Sequence, residues 1–135
     1  MNPLEQGKAE LLELSNNPNR GNLEKFFLKR TSVWDYPVID LGPATVGICN
    51  GLIAALKPHD AFYLLSDAGQ MLLLETDPYK IEQALDMLSD LVTASNTSEL
   101  PPDLEAIFSQ IESKVMLTHS GEGVWNYIKK HYRKT

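Results

Sequence analysis

Between Asp77 and Val92 the chain carries a pattern that leaves little choice of local structure: Ile81, Ala84, Leu85, Leu88, Leu91 and Val92 recur at steps of three and four. At about 100° per residue those side chains share one face of a helix, and Glu82, Asp86 and Asp90 form a second line on nearly the opposite face. Like charges at i, i+4 cost an isolated helix roughly 0.2–0.5 kcal/mol per pair, and no Lys or Arg stands three or four residues away to offset them. A helix shaped by stability alone would not carry this line, so the sequence predicts an acidic surface that faces water or a partner. Asp77 and Pro78 are suited to its N-cap and first turn.

Elsewhere the pattern is shorter. Asn2 and Pro3 open a helix to about Ser15, with Leu4, Leu11 and Leu12 as its apolar stripe. Residues 16–21, Asn-Asn-Pro-Asn-Arg-Gly, are turn formers. Asn22 then caps a second helix running to Arg30, with Leu23, Phe26 and Phe27 inward. Ser32 to Leu41 reads as extended through Trp34, Tyr36, Val38 and Ile39, interrupted by Pro37. Pro43 to Leu56 reads as a buried helix ended by Pro58, with a strand at Ala44 to Cys49 as the competing assignment.

Ala61 to Leu65 and Met71 to Glu75 are compact apolar runs separated by Ser66-Asp67-Ala68-Gly69-Gln70, a spacing that predicts a β-hairpin turning at Gly69. Asn96 to Pro102 is a connection. Leu104, Ile107, Phe108 and Ile111 mark one further helix with Asp103 and Glu105 in its first turn. Lys114 to Thr118 reads as a last strand, and Gly123 to Arg133 as a final helix with Val124, Ile128 and Tyr132 inward. Together these elements predict an α+β fold: a small antiparallel sheet of about three to four strands, with its central hairpin at 61–75, covered by about five to six helices.

The 135 residues suit one globular domain. Cys49 is the single cysteine, which excludes an internal disulfide and a cysteine-based zinc cluster and fits a reducing, cytoplasmic setting. Met1 to Glu10 lacks the basic-then-apolar order of a secretory signal, and no apolar run approaches the ~20 residues a membrane helix needs. A net charge of −6 argues against nucleic acid as partner, because phosphate affinity comes from Lys and Arg. The charge is also polarised. Glu75 to Glu112 holds nine acidic residues and one Lys, or −8, whereas Lys114 to Thr135 holds five basic residues and one acid, or +4. Such asymmetry can be satisfied within the molecule, between copies, or by a foreign partner.

Chemical motifs are sparse. Cys49 sits between Ile48 and Leu52 and reads as a small core residue; as a nucleophile it would need His59, His119 or His131 beside it. No spacing among His59, Asp60, His119 and Glu122 matches a metal-ligand pattern, so neither metal nor cofactor is expected. The amides of Thr118 to Gly123, before the last helix, could receive an anion, although a turn capped by Ser120 accounts for the same residues. The cationic end, Lys129-Lys130-His131-Tyr132-Arg133-Lys134, suits a helix C-terminus or pairing with an acidic surface.

The charge pattern therefore points to a small, acidic, non-catalytic protein that binds another protein, as an adaptor, assembly factor or inhibitor of the immunity type. Glu82, Asp86 and Asp90 would meet a basic surface, with Tyr79 and Met87 as apolar anchors. Two alternatives stand beside it: a small hydrolase or transferase built on Cys49 and a histidine, and a homo-oligomer held by stripe and tail, in which the partner is another copy of the chain.

Overall fold

Two prolines start the two longest helices, and the three residues between those helices leave room only for an antiparallel return. The computed structural model describes residues 3–29, 31 and 56–134. Among them there are seven helices: α1 (Pro3–Asn16), α2 (Arg20–Lys29), α3 (Pro58–Leu74), α4 (Pro78–Ser95), α5 (Pro102–Glu105), α6 (Phe108–Val115) and α7 (Gly121–His131). No described residue lies in a strand. The expected α+β fold with its antiparallel sheet is therefore corrected to an all-helical one.

The 61–75 hairpin is a single helix. Pro58 fills the first turn of α3, where its missing N–H costs nothing, and Asp60 places a carboxylate where the helix dipole favours it. Ala61, Leu64, Leu65, Ala68, Met71 and Leu72 are all buried, and their steps of three and four are those of a helix, not of two strands. Ser66, Asp67 and Gly69 resemble a turn by composition, yet each lowers helix propensity by only about 0.5–1 kcal/mol. One apolar face running the length of the helix outweighs that loss.

Gly69 in fact lies deep in packing. A Cβ added there would come within 2.7 Å of Leu104, 3.2 Å of Ile107 and 3.4 Å of Ile111, so the glycine is what lets the segment from α5 to α6 lie against α3. No described glycine has a positive φ.

Glu75-Thr76-Asp77 returns the chain into α4, where the Asp77 carboxylate accepts the Lys80 amide at 3.2 Å. All six residues of the predicted apolar stripe are fully buried. Asn96 ends the helix in the left-handed conformation, with φ of 52°. The α3–α4 hairpin is the centre of the molecule; α2, α5 and α6 pack on α3, and α6 and α7 pack on α4.

Smaller corrections follow from the caps. The α2 cap is Asn19, whose Oδ1 accepts the Asn22 amide at 2.9 Å, while buried Asn22 donates to the Asn17 carbonyl at 2.8 Å. In α1 it is Leu14 that is buried and Leu12 that faces water. Leu23, Phe26 and Phe27 are buried as expected. The helix expected through Leu104 to Ile111 is broken at Ala106 and Ile107 into α5 and α6.

Lys114 and Val115 end α6 where a strand was expected, and the Lys114 ammonium donates to the Glu75 carbonyl at 2.6 Å, tying that turn to the end of α3. On α7, Trp125 joins Ile128 and Tyr132 in the core, with its ring 4.7 Å from that of Phe108. Burial pushes the Tyr132 hydroxyl up to about 12. The expected extended stretch Ser32 to Leu41, the expected helix Pro43 to Leu56 with its alternative strand, and Cys49 lie outside the described residues, apart from buried Leu56.

Candidate binding surfaces

The acidic line and the amides before the last helix, read separately in the sequence, meet in space. Glu82 Oε1 accepts the backbone N–H of His119 at 3.1 Å and of Ser120 at 3.2 Å, so the anion at the start of α7 is a side chain of α4. Gly121 makes the approach possible: a Cβ there would sit 3.2 Å from Leu85 of α4. Thr118 Oγ1 accepts the Gly121 amide at 3.1 Å, whereas Ser120 makes no side-chain cap. A charge-assisted pair of amide hydrogen bonds accounts for Glu82 structurally.

The remaining residues of the predicted binding face are placed as follows. Asp86 and Asp90 are half-buried, and each engages another group of the molecule. Tyr79 is half-buried with its hydroxyl out of water. Met87 is fully buried and belongs to the core: at six residues past Ile81 it extends the apolar arc of a helix covered on both flanks.

The basic end meets the acidic middle in two places other than that line. Lys129 donates to Glu112 at 3.0 Å and Lys134 to Glu105 at 3.3 Å. Trp125 Nε1 also donates to Glu112, at 3.2 Å, and these donors, Lys129 first, hold the Glu112 carboxyl below the usual carboxylate range. His131 Nε2 lies 2.7 Å from the Thr97 carbonyl. His59 and His119 are exposed.

Among the described residues no histidine ring is hydrogen-bonded to a hydroxyl or carboxylate, and no three His, Cys, Asp or Glu are grouped to hold a metal ion. No helix of the described residues is long and apolar enough to cross a membrane.

Two hollows stand out. The first, between α6 and α7, has a volume of about 340 Å³ and is lined by Glu112, Met116, His119, Glu122, Trp125 and Lys129 among others. At its edge Met116 is 80% exposed, and the next residue in the chain, Leu117, is 61% exposed and lines a separate hollow. The second, also about 340 Å³, lies between α2, the end of α3 and the start of α4. Phe27 and Met71 are buried in it, while Leu28 and Leu74 beside them are 60% and 73% exposed. Neither was visible in the sequence, because each is assembled from helices whose own patterns are satisfied by the core.

Comparison with known proteins finds no matching family model, no similar curated protein and no similar solved structure.

Proposed function

We propose that this chain acts by non-catalytic binding of a protein partner with a basic, partly apolar surface, and that the contact is the turn after α6 with the adjoining α6–α7 cleft. The observation that carries this reading is the pair Met116 and Leu117, two consecutive large apolar side chains held out in water, the first of them lining the cleft together with Glu112 and Glu122. Exposed apolar groups rimmed by polar ones suit a contact surface, and Met in particular adapts to the shape of what it meets. The excess of negative charge on the chain speeds encounter with a cationic partner. Within the cleft Lys129 already neutralises Glu112, so Glu122 is the carboxylate left to meet an incoming Lys or Arg.

The test is affinity capture from native lysate with three baits: the wild type, a Met116→Ser/Leu117→Ser variant, and an Asp86→Lys/Asp90→Lys variant. The expected result is a partner held by the wild type and the α4 variant and lost by the turn variant. A partner lost only when the α4 charges are reversed would move the contact to that helix, and identical capture by all three would defeat both assignments.

A further inference from the structure

The groove between α2, α3 and α4 is independent of that contact and has a different electrical character. Its edge carries two bases, Arg20 and Lys80, and two acids, Glu24 and Glu75, on a chain that is otherwise strongly acidic. Arg20 and Glu24 are already joined at 2.9 Å, and Arg20 also donates to Gln70 at 2.7 Å. Among the described residues, Lys80 and Glu75 make no side-chain ion pair. One acid and one base are thus left over, on the same edge, around the exposed side chains of Leu28 and Leu74.

We infer that this groove is the contact between two copies of the chain. A two-fold interface sets one patch against itself, so residue i of one copy meets j of the other and j meets i. A single unmatched Lys and a single unmatched Glu satisfy that condition twice, with Lys80 of each copy facing Glu75 of the other. A patch of one sign would repel its own image, and that is the case over much of the acidic surface. The apolar centre supplies the attraction: Leu74 of each copy enters the hollow over Phe27 and Met71 of the other. A stable contact takes about 800 Å² from each copy, so it spans the outer face of α2 as well as the end of α3.

The experiment is sedimentation equilibrium of the full chain over micromolar to millimolar concentration, with circular dichroism as the control for folding. Wild type is expected to reach the mass of a dimer and Leu74→Asp to remain a monomer. Lys80→Glu and Glu75→Lys each place like charges opposite one another and should weaken the dimer at least tenfold, while the two together should restore it.

A wild type that stays monomeric throughout overturns the inference, whether or not the groove then takes another protein. So does a dimer indifferent to Leu74→Asp, or a double exchange that fails to recover what the single changes lost. Should Leu74→Asp fail to fold, the exchange of surface charges decides alone. None of these substitutions touches the α6–α7 cleft, so the capture experiment reads separately.

Discussion

Glu82 shows how a residue's role can reverse between sequence and structure. In one dimension it is the first member of an acidic line with nothing to offset it; in three it is the acceptor for two amides at the start of α7. Glu82→Ala removes both bonds and leaves the His119 and Ser120 amides to water. The expected loss is about 1 kcal/mol, the usual worth of a helix cap, read as a lower urea midpoint at unchanged slope, with faster exchange of those two amides. Unchanged stability would show that the turn is held by Thr118 and Gly121 alone. The repulsion expected along the line is thereby relieved at one end without any cation, because oriented N–H groups act as the positive partner.

At the scale of the element, α3 is where local composition misled. Five residues, three of them (Ser66, Asp67 and Gly69) with turn chemistry, sit between two apolar runs, and that reading ignores the fact that the runs are in phase for a helix across the gap: Leu65, Ala68, Met71 and Leu72 continue one face. Gly69 separates the two accounts experimentally. In a hairpin turn it would be needed for its conformation; in α3 it is needed for the space beside Leu104, Ile107 and Ile111. Gly69→Ala gains helix propensity of up to about 1 kcal/mol but overpacks a buried contact, which typically costs about 1–3 kcal/mol. The expected sum is a destabilisation of about 1 kcal/mol by urea unfolding with helical content retained. A stabilised variant would mean that Leu104 repacks freely and that the close approach of α5 is incidental.

For the whole molecule, the α3–α4 hairpin is the hub, with most of the fully buried side chains and neighbours on several sides, whereas α1, among the described residues, is packed chiefly on α2. Native-state hydrogen exchange should therefore find the central amides of α3 and α4 opening only with global unfolding, and those of α1 opening at a lower free energy. Equal protection in α1 and α4 would contradict this hierarchy. Part of the charge asymmetry is also met within the molecule at this scale. Lys129 and Lys134 fold back onto Glu112 and Glu105, exposed pairs of small energy that nonetheless neutralise part of the acidic middle.

What the sequence by itself determined is whatever repeats within a dozen residues. The α4 stripe, the Asp77 cap, the inward Leu23, Phe26 and Phe27, and the final helix were all readable because side-chain phase and capping are local. The class of the 61–75 segment was present in the same phase, but it could be recognised only by weighing a long apolar face against a short polar break. The destination of Glu82, the burial of Met87, the break at Ala106 and both hollows were decided by tertiary structure alone. Each depends on which helix lies against which, and that is set by contacts between residues far apart in the chain, to which local periodicity is blind.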